Sequence, residues 1–427
     1  MQMILFVYNL VMISIFIMGL PIFFILIISL PKWKDSILER FGILKKPLKD
    51  KIKNNPNIWF HSASMGEGKS IVLLAKRIKD KFSKYNLVFT TTTLAGKKIL
   101  KEYFSDSIIF YLPIDIYFFM KPVVKLINPK ILIVAETEIW PNLFYLVKKN
   151  KGDIIIVNGR ISKKSFKWYI KVKKIFSKVL RLVDKFGMRS EEDAKAIKEL
   201  GAEPNKVIVT GDLKFEIFLI NNSKQKEITD LILPRCCRHI IVCGSVHLCE
   251  MKILLESFKT ILNKFKNLTL IVVPRFLEEV PEMENLIAKY NFKYFKRSNI
   301  SRNKDKYEII IVDSLGELSY IYQMANLAFV GGSLSNIGGH NILEPIFFGK
   351  PVLFGPYVQN FNEIAGEIKG NSLGFLVRNQ EELANKILEL LNNKNLLSRI
   401  SVESKQFLEK RRGVVCKNME IIEKFLE

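Results

Sequence analysis

The sequence predicts an α/β protein of two doubly wound, Rossmann-like domains facing a cleft, preceded by a membrane-anchor helix. Three observations carry this expectation. From Ile58 onward, short apolar runs rich in Ile, Val and Phe alternate with amphipathic stretches, the rhythm of βα units feeding a parallel sheet. That rhythm breaks once, in the polar segment Ile220 to Glu227, and then resumes. The first 31 residues, Met1 to Pro31, contain no charged side chain.

The apolar N-terminal run, through Leu5, Phe6, Ile13, Phe16, Phe23, Phe24 and Leu30, exceeds the roughly 20 residues that span a bilayer. No basic segment precedes it and no small-residue cleavage site follows, which favours a retained anchor over a cleaved signal peptide. A buried core helix is the weaker reading, because core helices are seldom apolar all round for so long. Lys32, Lys34, Arg40, Lys45, Lys46, Lys49, Lys51 and Lys53 come next, and the positive-inside rule puts the following domains on the cytoplasmic side. The expected division is a membrane anchor over 1–31, a basic juxtamembrane segment over 32–55, and domains over 56–220 and 221–427, the second ending in a terminal helix.

Strands are expected in the first domain at Ile58 to His61, Leu87 to Thr91, Ile108 to Leu112, Ile131 to Ala135, Ile154 to Val157 and Val207 to Val209. Helical patterns at Ile71 to Phe82 and Ser165 to Leu182 separate some of them. In the second domain the strands are Ile240 to Gly244, Leu268 to Val273, Ile309 to Val312, Leu327 to Val330 and Val352 to Phe354. The tail from Gln380 is mostly helical, and in two-domain proteins of this shape such a tail often returns to the first domain.

The chain of 427 residues carries a net charge of +24, which suits an anionic membrane surface or nucleic acid. No zinc-finger spacing or RNP-type aromatic motif supports nucleic acid, whereas the anchor favours the membrane. Five cysteines, Cys236, Cys237, Cys243, Cys249 and Cys416, form no C-x-x-C pair and read as reduced thiols.

Candidate chemistry lies at strand ends, the functional edge of such sheets. After the first strand comes His61-Ser-Ala-Ser-Met-Gly-Glu67, where Glu67 is placed to take a proton from a substrate hydroxyl or simply to favour a helix N-terminus. Gly68-Lys69-Ser70 imitates the end of a P-loop, but Ala63 stands where the first glycine belongs. Glu136 and Glu138 follow the fourth strand; the chain is expected to turn before Trp140, leaving at most one of them facing the cleft, Glu136. Lys214, in Gly-Asp-Leu-Lys-Phe after another strand, suits neutralisation of developing negative charge. In the second domain Arg275 ends a strand with a phosphate-binding side chain, Leu315-Gly-Glu317 follows another, and Ser245 and His247 are candidate phosphate or sugar ligands. The run Val330 to Pro345 joins a strand to a glycine-rich turn and a helix start. Its glycines, Gly332 and Gly339 among them, are expected to let the backbone approach an anion, with amides opening near Asn341 pointing at it and Glu344 accepting from ribose. His340 crowds the same turn. There is no D-x-D and no metal-ligand spacing, so no metal or other cofactor is implied.

Eight ordered blocks carry a resemblance over nearly the whole chain: H-S-A-S-M-G-E ending at Glu67, Y-L-P-I-D ending at Asp115, E-T-E-I-W-P-N from Glu136, V-N-G-R-I-S from Val157, G-D-L-K-F from Gly211, V-P-R from Val273, L-G-E-L from Leu315, and G-G-S-L-S-N-I-G-G-H-N-I-L-E from Gly331. In these the sequence resembles the 3-deoxy-D-manno-octulosonic acid (Kdo) transferases of lipopolysaccharide synthesis. The resemblance implies a GT-B glycosyltransferase of the bacterial inner membrane that moves Kdo from CMP-Kdo to a lipid A precursor of the lipid IVA type. It implies metal-independent, inverting transfer, with Glu67 as general base and Glu136 and Lys214 stabilising the transition state. By the same resemblance Pro274, Arg275, Leu315, Gly316, Glu317, Asn341, Ile342, Leu343 and Glu344 fall on the CMP site. Phe276 departs from the pattern, standing where a His usually follows Pro-Arg; Val246, Leu248 and Cys249 replace the usual Thr, Glu and Gly around His247, and Ile342 replaces a Pro. Three other readings stay open on the residues alone: a transferase using a UDP-sugar, a tethered P-loop NTPase using Lys69, and a noncatalytic tether for anionic lipid.

Overall fold

The computed structural model describes residues 1–29, 34–53, 55–216, 239–302 and 307–427. The expected break at 220–227, with Leu30, Pro31, Lys32, Cys236 and Cys237, lies outside them. Two compact units form, Met1–Ile217 with Arg411–Glu427, and Phe218–Lys410.

The first unit is built on β1 (Asn57–His61), β2 (Asn86–Thr91), β3 (Ile108–Tyr111), β4 (Pro129–Ala135), β5 (Asp153–Gly159), β6 (Lys185–Met188) and β7 (Val207–Val209). They pair in the order β3-β2-β1-β4-β5-β6-β7, every neighbour parallel. Parallel strands buried on both faces read as continuous apolar runs, and Ile131 to Ala135 are fully buried. The order reverses between β1 and β4, so the loops leaving those two strands diverge and open a crevice at their carboxyl ends.

The strand β6, Lys-Phe-Gly-Met, was not foreseen. A glycine interrupts its apolar run for a packing reason: a Cβ on Gly187 would lie 2.8 Å from Asn418 Oδ1 on the terminal helix Val414–Leu426. That helix packs on the first unit, with Val414 and Val415 N–H donating to Glu216 at 2.7 and 3.3 Å and Lys81 pairing with Glu423 at 2.7 Å. The assignment of the whole of 221–427 to the second domain is therefore corrected, since the last helix lies with the first unit. The continuous helix expected over Ser165 to Leu182 is also divided, into Lys163–Tyr169, a 3-10 turn Ile170–Val172 and Lys173–Leu180.

An apolar helix, Gln2–Ser29, opens the chain. Its first half docks on the first unit through Leu5, through Phe16 set edge-on to Phe41 and Phe119, and through Tyr8 and Asn9. Met3, Phe6, Leu10, Ile15, Ile17 and Met18 remain exposed. By length and composition alone the segment Gln2–Leu20 is able to cross a membrane. Within the basic segment that follows, Arg40 is committed to the protein: it donates to Thr92 O at 2.6 Å and lies over the Tyr111 ring.

The second unit holds β8 (His239–Val246), β9 (Leu268–Pro274), β10 (Tyr294–Lys296), β11 (Ile309–Ile311), β12 (Leu327–Val330), β13 (Val352–Phe354) and β14 (Gly374–Leu376), in the all-parallel order β10-β11-β9-β8-β12-β13-β14. The edge strands β10 and β14 went unforeseen because each is three residues long and mostly half-buried, too short for a period to show. β8 and β12 are neighbours whose onward connections run to opposite sides, which places the switch point of this sheet at Gly244 to His247 and Val330 to Leu334.

Candidate active site

At the end of β1 the chain turns into the helix Met65–Lys81, with Ser64 as its N-cap accepting from Glu67 N–H. The Glu67 carboxylate reaches back, taking Ala63 N–H at 2.6 Å and the Ser64 hydroxyl at 2.9 Å. Behind the turn, the hydroxyls of Thr91, Thr92 and Thr93 all donate to Ala63 O. The β2 end thus holds the β1 turn rigid. Burial raises the Glu67 pKa above the usual carboxylate range, and the Glu136 charge adds to the rise against the lowering effect of Ala63 N–H and Ser64. This geometry removes the P-loop reading, because the Ala63, Glu67 and Gly68 amides that would cradle a phosphate are taken by Glu67, Ser64 Oγ and Ser64 O.

Glu136, first residue after β4, sits in the left-handed region at φ 56°. That conformation turns the chain so sharply that both acids of Glu-Thr-Glu stay at the sheet edge. Glu138 shares that edge: burial, then the charges of Glu67 and Glu136, push its carboxyl up to about 7. The signal available was the Glu-x-Glu spacing itself, which strand alternation alone places on one face. Lys214 Nζ lies 3.5 Å from Glu136 Oε1, giving the acidic cluster a cation.

The Lys214 turn is itself built by two polar residues. Asp212 caps the short 3-10 helix Leu213–Phe215 by accepting Lys214 N–H at 2.9 Å, and Asn158, at φ 55°, accepts Leu213 N–H at 2.9 Å. Arg189 pairs with both Asp193 and Asp212, and Asp193 accepts Ile161 N–H, so the V-N-G-R-I-S block serves to hold the lysine's turn. Around the carboxylates, buried His61 Nε2 and Ser62 Oγ have no hydrogen-bond partner among the described residues. His61 bonds Thr90 through Nδ1, and burial holds its pKa down to about 3, leaving a neutral ring. Unsatisfied buried polar atoms cost about 1–3 kcal/mol each, and their concentration beside Glu67 and Glu138 marks a place that a polar ligand would complete.

In the second unit the glycine-rich turn after β12 does something other than expected. Gly332, Ser333 and Leu334 N–H all donate to the buried carboxylate of Glu250, at 2.8, 3.1 and 3.0 Å, and Gly339 N–H donates to Gly332 O. The helix expected near Asn341 is only Leu343–Phe347, and its Leu343 N–H is taken by Asn341 Oδ1. These amides hold the loop's own shape. The turn delivers side chains: His340 meets His247, with Arg275 close enough to act on His340 electrostatically. Ser245, at φ 55°, makes the bulge in β8 that turns the following residues toward this group. Pro274 ends β9, and Arg275 N–H bonds Val246 O.

The remaining sequence-derived residues are placed less directly. Leu315 is exposed and Gly316 lies at φ 85°, both in the turn after β11, but the Glu317 carboxylate is engaged by Arg297 at 3.1 and 3.4 Å. Ile342 and Leu343 bury their side chains in the core and offer only backbone. Glu344, half-buried, sits electrostatically near Tyr322. Sequence reasoning missed Glu250, whose signal was an acid three residues past His247, in the first turn of the helix Leu248–Leu262.

Two all-parallel α/β units with polar chemistry at the strand ends form a frame shared by several enzyme classes, and the family matches assign this chain to the glycosyltransferases. Residues 249–407 match the family Glycosyl transferases group 1, and a glycosyltransferase from Rickettsia africae shares the fold at TM-score 0.56 and 15% identity, covering 88% of this chain and 99% of that one. Residues 35–217 match the family described as 3-deoxy-D-manno-octulosonic-acid transferase (kdotransferase). A 3-deoxy-D-manno-octulosonic acid transferase of Aquifex aeolicus is 34% identical, covering 87% of this chain and 98% of that protein. A bifunctional glycosyltransferase/methyltransferase of Fusobacterium nucleatum is 38% identical over 81% of this chain, which spans 54% of that protein's length. The chain belongs to the Kdo transferase family, glycosyltransferases that transfer Kdo in lipopolysaccharide biosynthesis.

Proposed function

We propose that this protein transfers Kdo from CMP-Kdo to a lipid A precursor of the lipid IVA type by metal-independent, inverting displacement. The observation that carries the reading is the cluster of Glu67, Glu136, Glu138 and Lys214 at the switch point of the first sheet. Glu67, fixed by two hydrogen bonds and raised by burial, is a competent base for the acceptor hydroxyl. The freed oxygen attacks the anomeric carbon from the side opposite the nucleotide, and the bond to phosphate breaks with inversion. Lys214 meets the negative charge that develops, and Glu136 aims it. On the donor side Arg275, Ser245, His247 and His340 would take the phosphate, while Pro274, Leu315, Gly316 and the backbone of 341–344 would border the nucleoside.

A lipid acceptor agrees with the N-terminal helix and with a cavity of about 430 Å³ beside it, lined by Leu5, Phe6, Leu10, Ile13 and Phe118 with Lys149 at its margin. Apolar walls with one cation suit an acyl chain and a lipid phosphate. The anchor and the net charge of +24 would hold the enzyme at the cytoplasmic face of the inner membrane. The test is Kdo transfer from CMP-Kdo made in situ to tetraacylated lipid A precursor, in detergent with EDTA, read by product mass. Transfer by the wild type and its loss in Glu67→Gln supports the reading, and the mass steps count the sugars added. No transfer by folded wild-type protein rejects it.

A further inference from the structure

The imidazoles of His247 and His340 meet edge to edge and nearly coplanar, planes 10° and centroids 5.1 Å apart, with their Nε2 atoms 2.8 Å from each other. Two ring nitrogens at that distance accommodate one proton between them, one nitrogen donating and the other accepting. The rings come from different strands' ends, His247 after β8 and His340 from the loop after β12. Gly332 permits the approach, since a Cβ there would stand 2.9 Å from His340 Nε2 and 3.6 Å from His247 Cδ2.

The charged groups around the pair are few and mostly committed. Glu250 spends its carboxylate on backbone N–H groups, His247 N among them. Glu279 accepts Leu248 N–H, and the Cys249 thiol faces Ser335. Phe276 covers His247 edge-on at 5.5 Å, and Arg275 lies over Phe276. The near charge acting on His340 is thus the cation of Arg275.

We propose that His247 and His340 form one proton-carrying unit that serves the phosphate of the departing nucleotide. The inference rests on the CMP-sugar reading above. In the free protein, burial, Arg275 and His247 hold His340 down to about 4, so its ring is neutral near neutral pH. A bound phosphate offsets the Arg275 charge and lets the pair take up one proton. As the bond between anomeric carbon and phosphate oxygen breaks, its electron pair stays on that oxygen, which receives the pair's proton. The acceptor oxygen bonds to that carbon from the opposite face, and its own proton goes to Glu67. The pair, neutral again, is reprotonated from water when the next donor binds.

The chain has four histidines, so the full-length protein in detergent, with isotope-labelled imidazole nitrogens, gives a readable spectrum. Titration with CMP at neutral pH is expected to move two imidazoles toward the imidazolium position, and cytidine is expected to move neither. His340→Gln should abolish that response and weaken CMP binding about tenfold or more, the scale of one charge-assisted hydrogen bond. Imidazoles that stay neutral in the CMP-saturated wild type overturn the inference while leaving the donor reading intact, and they do so whether or not the variant folds. Failure of CMP to bind, with saturation by UMP, rejects the donor reading together with the inference.

Discussion

Lys214 Nζ stands 3.5 Å from Glu136 Oε1, an ion pair joining the ends of β7 and β4, which lie three places apart in the sheet. A lysine so far along the sheet reaches β4 because Asp212 and Asn158 bend its turn inward. If this cation meets charge in the transition state, Lys214→Met should lower kcat about 100-fold or more with little change in KM. Steady-state kinetics in detergent decides, and an unchanged kcat with raised KM would make Lys214 a binding residue only.

Glu138 makes stability depend on pH. Its folded pKa, about 7 against an ordinary 4.5, means that the native state holds the proton more tightly than the unfolded chain. Ionisation therefore costs native stability, a cost that begins as pH rises past the unfolded value and is complete above about 7. Glu138→Gln removes that cost and should stabilise the protein by about 1–3 kcal/mol in mild alkali while changing little in acid. Urea unfolding on either side of the window checks this; equal effects in both would assign the gain to packing.

Asp115 ties the N-terminal helix to the sheet. Buried, its carboxylate caps the helix Pro141–Lys149 by accepting Asn142 and Leu143 N–H at 3.0 and 2.9 Å, and it also takes the Tyr8 hydroxyl at 3.1 Å. Asn9 completes the join by accepting Tyr117 N–H and by bonding Asn142. Asp115→Ala should cost about 2–4 kcal/mol and increase protease access to residues 2–20, whereas Tyr8→Phe should cost about 1 kcal/mol. Helix protection unchanged in Asp115→Ala would show that the apolar contacts of Leu5 and Phe16 suffice.

Glu250 holds the glycine-rich turn with three backbone hydrogen bonds and takes a fourth from His247 N–H, with no ion-pair partner among the described residues. Glu250→Ala leaves those amides buried without partners, and the second unit should lose about 3 kcal/mol or more. Glu250→Gln keeps the shape but converts one oxygen to a donor facing N–H groups, so a smaller loss is expected. Differential scanning calorimetry separates the two, and equal stability of both with the wild type would mean the turn is held by packing alone.

Much of the fold was legible. Buried parallel strands must be apolar throughout, so β1, β4, β8 and β9 stood out as runs of Ile, Val, Leu and Phe. The edge strands β10 and β14 and the glycine-bearing β6 lacked that signal. Within the candidate site, Glu67 stood out by its position after a strand, whereas Lys214 was singled out only by the family resemblance, a lone lysine being more often solvated surface. Glu138 was set aside because the direction of a chain turn depends on one φ angle, here 56° at Glu136, that the residue type does not announce. That the Gly332, Ser333 and Leu334 amides turn to Glu250 was not legible, because glycine frees a backbone to approach any acceptor and only the packing of the helix after β8 brings this one.

By itself the sequence determined two parallel α/β domains behind an apolar helix, and which strand ends bear acids and bases, because periodicity and strand order along the chain are local properties. The tertiary structure alone decided which of those groups meet. Glu136 with Lys214, His247 with His340, Glu250 with the Gly332 turn and the terminal helix with β6 are contacts between segments distant in the chain. Strand order and close packing set such contacts, and no local pattern of residues encodes them.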